Sequence, residues 1–338
     1  MEPSTPARRR PTISDVAAAA GVSRGTVSRV INGGHWVSPG ALAAVEKAIR
    51  TTGYSANQHA RSLVTGRSNS VAFLLTEPQH LLFEDPNISI LLRGAAQALS
   101  ARGMTLVLVV AGTTEEQRQV LSYLGAGHVD GVLAVSSHSG NPLLKSLVKQ
   151  GIPIIACGIP LGLEGKLGYV AADDLAGGRM MTRHLLRSGR VRIATIAGPL
   201  DTPGGQLRLA GYREELGSSV DETLIAYGDY SRDGGAAGMR TLLERRPDLD
   251  AVFVGSDLMA AGALQVLREA GRHVPSDVAV GGFDDSGLAA TLDPPLTTIR
   301  QPLERISVEM VRLLIEVVEG GEPAAVTLPT SLVVRASA

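Results

Sequence analysis

The segment from Pro11 to Ser38, PTISDVAAAAGVSRGTVSRVINGGHWVS, constrains this chain more than any other part of it. Two short helical patterns meet at Gly21 with almost no loop between them, which fits a tight helix-turn-helix. Thr12 and Asp15 have the spacing of a capping box, which starts a helix through Val16 and the alanines. Ser23 can cap a second helix, in which Val22, Val27 and Val30 share an apolar stripe while Arg24, Gly25, Ser28 and Arg29 face outward. Ser38-Pro39 repeats the start signal for a third helix, with Leu42, Val45 and Ile49 expected on its inner face. A second helix that presents arginine and small polar residues suits a DNA major groove; a three-helix bundle with a merely solvated face is the alternative.

Charge separates these readings. Residues 1–70 hold nine Lys/Arg against three acids, a balance of +6, and the whole chain is −1, so residues 71–338 carry −7. A basic head on an acidic body is expected if only the head meets phosphates. The run Arg8-Arg9-Arg10 reads as a disordered arm.

A chain of 338 residues with 44% hydrophobic content holds more than one domain and enough apolar side chains for packed cores. Its one cysteine, Cys157, follows an apolar run and reads as a buried small residue in a reducing compartment. The N-terminus lacks a signal-peptide core, and no apolar run approaches ~18 residues, so a soluble cytoplasmic protein with no membrane contact is expected.

Between head and body, Asn57 can cap a short helix that Gly66 ends. So short a helix is marginal in water until a partner orders it, which makes this segment a hinge. Leu63 within it is either linker packing or a wedge for a DNA minor groove.

From Val71 onward β-rich runs alternate with helical patterns. The runs are 71–75, 105–110, 131–135, 153–157, 192–198, 251–255 and 277–283, and the helical segments include 90–102, 115–124, 174–187 and 258–270. Such alternation builds parallel sheets flanked by helices, and the restart near Val191 implies two α/β lobes. Ligands in such sheets bind beyond the strand carboxyl ends. Arg208, Ser256-Asp257 and Asp284-Asp285 follow strand ends, and a guanidinium with carboxylates suits the hydroxyls of a small ligand. Helix capping or ion pairing is the plainer use of any one of them.

Enzyme motifs are absent from the sequence: no GxGxxG after a strand, no Walker A, and no ligand spacing among the seven histidines. Ser137-His138-Ser139 lacks nucleophile-elbow glycines and reads as loop. No cofactor and no metal are expected.

The chain resembles the LacI/GalR family of bacterial transcription regulators over almost its full length. The resemblance rests on TISDVAAAAGVSRGTVSRVIN with Gly53-Tyr54, on Asn57, Ala60, Arg61 and Leu63, and on HVDGVL (128–133), RLAGY (208–212) and SDLMAAGAL (256–264). It continues in VPSDVAVGGFDD (274–285), PPLTTIRQP (294–302) and LPTSLVVR (328–335). It implies an α/β protein with an N-terminal three-helix helix-turn-helix head over residues 1–56 and a hinge helix and linker over 57–70. A two-lobed periplasmic-binding-protein-like core of parallel sheets flanked by helices would follow over 71–338. The first lobe would take about 71–171 and 299–325, the second about 172–298 and 326–338, with crossings near 171, 298 and 325.

The resemblance also implies a homodimeric repressor of a carbohydrate-utilisation operon, bound to a near-palindromic double-stranded DNA operator and governed by a small effector, usually a sugar. Arg24, Gly25 and Arg29 match base-reading positions, with Thr12, Ser23, Thr26, Ser28, Asn32 and Trp36 at the DNA and Asn57, Ala60 and Leu63 in the hinge. Arg208, Ser256, Asp284 and Gln301 match effector positions. Ala56 replaces a frequent proline, Ser256 a frequent asparagine, and Gly158 falls where some members place an aspartate. The alternatives are a sugar-binding protein whose head serves assembly, which a secretion signal would favour, and an enzyme on the same core, which turnover without DNA would favour.

Overall fold

A computed structural model describes residues 11–31, 36–54, 67–79, 81–136 and 138–338. The expectations at Asn32, Asn57, Ala60 and Leu63, the hinge helix and the Arg8–Arg10 arm lie outside the described residues. The chain divides into two compact units, Met1–Ser68 and Asn69–Ala338.

In the first unit, α1 (Ile13–Ala20), α2 (Arg24–Ile31) and α3 (Pro39–Thr52) pack around Val16, Ala17, Val27, Val45 and Ala48. The backbone N–H of Thr12 donates to Asp15 Oδ2 at 2.7 Å, so the carboxylate satisfies a group that the helix itself leaves open. Gly21 then turns the chain with φ +67°, a left-handed conformation in which glycine carries no Cβ penalty. Ser23 Oγ accepts the N–H of Thr26 and Ser38 Oγ that of Ala41, which fixes where α2 and α3 start. Leu42 departs from expectation. It is 41% exposed, because the buried stripe of α3 begins one turn later at Val45.

The second unit holds two six-stranded sheets among its described residues. The first lobe follows the order β1 (Ser70–Leu75), α4 (Leu81–Glu84), α5 (Pro86–Ser100), β2 (Thr105–Val110), α6 (Thr114–Gly125), β3 (Gly131–Val135), α7 (Pro142–Lys149), β4 (Ile154–Cys157) and β5 (Gly168–Ala172). The second lobe continues with α8 (Asp174–Arg187), β6 (Ile193–Ala197), α9 (Pro203–Leu216), β7 (Ile225–Tyr227), α10 (Arg232–Arg245), β8 (Ala251–Val254), α11 (Asp257–Glu269), β9 (Ala279–Asp284) and β10 (Thr297–Arg300). The chain then adds α12 (Leu303–Val318) and β11 (Ala325–Leu328) to the first lobe and β12 (Ser331–Val333) to the second. Strand orders are β11-β5-β4-β3-β1-β2 and β12-β10-β9-β8-β6-β7, all parallel except the edge pair β10–β12.

The period of two along a strand decides which layer each residue joins. On β1, Val71, Phe73 and Leu75 meet α5 and α12, whereas Ala72 and Leu74 join the cluster that includes Leu124 of α6 and Leu144 of α7. The second sheet is covered likewise by α8 with α9 on one face and α10 with α11 on the other. Pairing also places the passages between lobes. Arg300 pairs with Asp284 and Leu328 with Ala172, so the second passage follows Arg300 rather than 298 and the third follows Leu328 rather than 325. The ladder runs to its last paired residue, which apolar patterning does not mark.

Candidate DNA-reading head and ligand cleft

In the head, Arg24, Gly25 and Arg29 are exposed on α2, with Ser23 at its cap; Thr12, Thr26 and Ser28 are half-buried. The hydroxyls of Ser23 and Thr26 lie 3.0 Å apart, and the Arg29 Nε–H donates to its own helix at Gly25 O, 3.3 Å. A Cβ on Gly25 would meet only Ser23 Oγ, at 3.7 Å. Glycine in a helix costs about 1 kcal/mol relative to alanine, and here no internal packing asks for it. The space it leaves is on the outer surface, where another backbone can come close. Trp36 is 93% exposed with φ +109°.

In the core, the carboxyl ends of both sheets converge on a cavity of about 170 Å³. The structure brings Arg208, Ser256, Asp284 and Gln301 together in its lining. Arg208, on α9, is the centre of the arrangement. Its Nε–H donates to Asp174 Oδ1 at 2.8 Å and its Nη1–H to the carbonyl of Gly255 at 2.7 Å, with Asp284 Oδ1 at 3.6 Å. The guanidinium lies 3.8 Å from the centre of the Phe283 ring. A buried cation held by two carboxylates and an aromatic face is rigid before any ligand arrives.

Asp284 ends β9 with φ +126°, and Asp285 follows at +53°. Two consecutive non-glycine residues in this region store backbone strain, which concentrates at functional sites. Neighbours hold them in place: Gln301 Nε2 donates to Asp284 Oδ1 at 2.7 Å, while Arg300 and Arg335 each hold Asp285 at 2.6 Å. Burial raises the Asp284 carboxyl above the usual carboxylate range. Ser256 is buried and its Oγ accepts the N–H of Met259, so it caps α11 as well as lining the cavity. Asp257 turns away, accepting from Thr298 Oγ1 at 2.6 Å and from the N–H of Ser286 at 3.1 Å.

The opposite wall was not foreseen from sequence. Asp85 and Asn87 of the first lobe line the cavity, as do Thr202 and Tyr230 of the second. Asp85-Pro86 is a helix-start signal that could have found the first two, but the apolar stripe of that segment begins only beyond them, at Ile88. Asp85 Oδ1 accepts the N–H of Asn87 at 2.9 Å; burial, then the charge of Asp284, lifts its carboxyl to about 7. Cys157 and Gly158 also face the cavity. Burial pushes the Cys157 thiol up to about 12, so it is inert as a nucleophile.

At the rim, a histidine joins the lobes. His138 Nε2 lies 2.7 Å from Glu77 Oε1 in its own lobe and Nδ1 lies 2.8 Å from Asp201 Oδ2 in the other. The N–H of Ser139 donates to the carbonyl of Asp201 at 2.7 Å, a second crossing at the same place. Hydrogen bonds to Glu77 and then Asp201 outweigh burial and raise the imidazole to about 9. Among the described residues no His, Cys, Asp and Glu group is placed to hold a metal ion, and no helix is long and apolar enough to cross a membrane.

A helix-turn-helix head and, in the other unit, a cleft between two sheet ends define a DNA-binding transcriptional regulator with a small-molecule site. Residues 12–57 match the profile described as bacterial regulatory proteins, lacI family, and residues 182–338 match the periplasmic binding protein-like domain. The transcriptional regulator CelR of Thermobifida fusca is 48% identical over 98% of this chain and 99% of its own length. The ribose operon repressor of Escherichia coli K12 is 35% identical over 90% of this chain and 92% of its own. Among solved structures, a CelR–cellobiose complex is similar with TM-score 0.79 and 46% identity, over 97% of this chain and all of that one. A lac repressor dimer bound to operator and an anti-inducer has TM-score 0.86 and 27% identity, over 97% and 99% of the two chains. The chain belongs to the LacI family of bacterial transcription regulators and is not an enzyme.

Proposed function

We propose that this chain is a homodimeric repressor, acting in the cytoplasm, whose affinity for a near-palindromic operator changes when a saccharide of the cellobiose class occupies the core cleft. Residues 1–56 read the operator through Thr12, Ser23, Arg24, Gly25, Thr26, Ser28, Arg29, Asn32 and Trp36. The hinge 57–70 adds Asn57, Ala60 and Leu63 at the operator centre, and the core 71–338 holds the effector through Arg208, Ser256, Asp284 and Gln301. The observation that carries the effector reading is the Arg208 guanidinium, fixed by Asp174 and Asp284 in a cavity lined from both lobes. A prearranged charged donor and acceptor match vicinal hydroxyls. The 48% identity to CelR favours cellobiose over ribose as the first sugar to test.

The test selects bound DNA from a random pool, then titrates the selected operator with the full chain, with and without cellobiose or ribose. Cellobiose should change operator affinity ~10-fold or more, within the usual range of allosteric coupling. Arg208→Ala should bind operator as wild type does and ignore cellobiose. A response to ribose alone, or an undiminished cellobiose response in Arg208→Ala, refutes the proposal.

A further inference from the structure

The lining of the cleft has an electrostatic sign. Among the described residues that line it, Asp85, Asp174 and Asp284 are carboxylic acids, and Arg208 is the cation set against them. Its charge is already offset by two of them, through Nε and Nη1. Its Nε–H serves Asp174, its Nη1–H serves the carbonyl of Gly255 and faces Asp284, and Phe283 covers its face. A ligand anion entering the cleft meets a cation whose charge is already balanced by Asp174 and Asp284, with little left to offset its lost hydration.

The wall opposite Arg208 points the same way. The Asn87 side chain lies close enough to the Asp284 carboxyl to oppose the upward push of burial on it, and Asn87 Oδ1 is left buried without a hydrogen-bond partner. Beside it the Asp85 carboxyl feels the charge of Asp284 and of Glu77 as well as burial. Asn87 Oδ1 only accepts a donated hydrogen, and Asp85 joins it as an acceptor once ionised above about 7; a buried acceptor left unmatched is costly. A sugar hydroxyl supplies that hydrogen, whereas a carboxylate or phosphate oxygen brings a further lone pair and a like charge.

We propose that Asp85 and Asn87 are specificity-determining residues that make the cleft take uncharged, hydroxyl-bearing saccharides and reject counterparts carrying a carboxylate or phosphate. This rests on the saccharide reading given above. Selection here works by repulsion as much as by attraction: the first-lobe wall penalises the wrong ligand by placing its charge against Asp85, while Arg208 positions the right one.

Calorimetric titration of the full chain at about pH 8.5, where the Asp85 carboxyl is ionised, with cellobiose, cellobiitol, cellobionate and 6-phosphocellobiose tests this. Cellobiitol is the neutral control for the opened ring of cellobionate, so that pair isolates charge at one end of the sugar, and cellobiose with its phosphate isolates charge at the other. Each anionic ligand should bind ~100-fold or more weakly than its neutral counterpart. Asp85→Asn keeps a side chain that caps α5 and should narrow that ratio ~10-fold; Asn87→Asp adds a charge and should widen it by a similar factor. Neutral and anionic ligands of equal affinity, or a ratio that neither substitution moves, overturn this inference and leave the saccharide reading standing. Absence of binding by both cellobiose and cellobiitol overturns the saccharide reading, and this inference with it.

Discussion

His138→Gln tests how tightly the lobes are clasped. The glutamine keeps hydrogen-bonding capacity and removes the charge. The wild-type imidazole is raised from the ordinary 6.5 to about 9 by Glu77 and then Asp201. A group whose folded value lies above its unfolded one stabilises fully below about 6.5, and that stabilisation is lost as pH rises through about 9. At about 1.4 kcal/mol per pKa unit, the ceiling is about 3 kcal/mol. The His138 side chain is 32% exposed and that of Asp201 55%, so solvent screening reduces this to about 1–2 kcal/mol. For a core of this size such a loss lowers the melting temperature by about 3–6 °C. Differential scanning calorimetry of wild type and His138→Gln at pH 6 and pH 10 should show that gap at the lower pH and almost none at the higher. A gap of equal size at both pH values, or none at pH 6, would refute the assignment of the stabilisation to the charged imidazole.

Gly25→Ala should raise the stability of the head by about 0.5–1 kcal/mol in thermal unfolding, because alanine favours helix and makes only an ordinary contact with Ser23 Oγ, yet weaken operator binding measured by fluorescence anisotropy. Stronger operator binding would show that the gap on α2 serves no backbone approach. Gly178→Ala brings a Cβ to 2.4 Å from the carbonyl oxygen of Arg208, where α8 and α9 cross. Forcing these helices apart should cost about 1–3 kcal/mol and weaken effector binding, since the displaced residue carries the guanidinium; a melting temperature equal to wild type would count against that contact.

The strands legible in the sequence were the apolar runs such as VAFLL and TLVLVV. Those missed, Gly168–Ala172, Ile225–Tyr227, Thr297–Arg300, Ala325–Leu328 and Ser331–Val333, are short or mix small and polar residues. They are strands because a neighbour's ladder is open to them, a tertiary fact that local pattern does not carry. The α9 helix was hidden for another reason. Gly205 and Gly211 pack by backbone approach and Arg208 by charge, so no apolar stripe repeats along it. In the cleft, position after a strand end was enough to single out Arg208, Ser256 and Asp284. Asp174, which holds Arg208, read only as a helix start, and Asp85 with Asn87 lay ahead of the apolar periodicity of α5.

Cys157 gives the cleft a clock. It is the only cysteine in the chain, it faces the cavity, and burial leaves it almost no thiolate at neutral pH. Its side chain is half-buried in the cleft wall, so a ligand that fills the cleft or draws the lobes together shields it from a neutral alkylating reagent. Any ligand that favours the closed arrangement slows the reaction in proportion to its occupancy. The wild-type chain thus reports the occupancy of its own cleft, unlabelled and in the absence of DNA, through the mass added at a single sulfur.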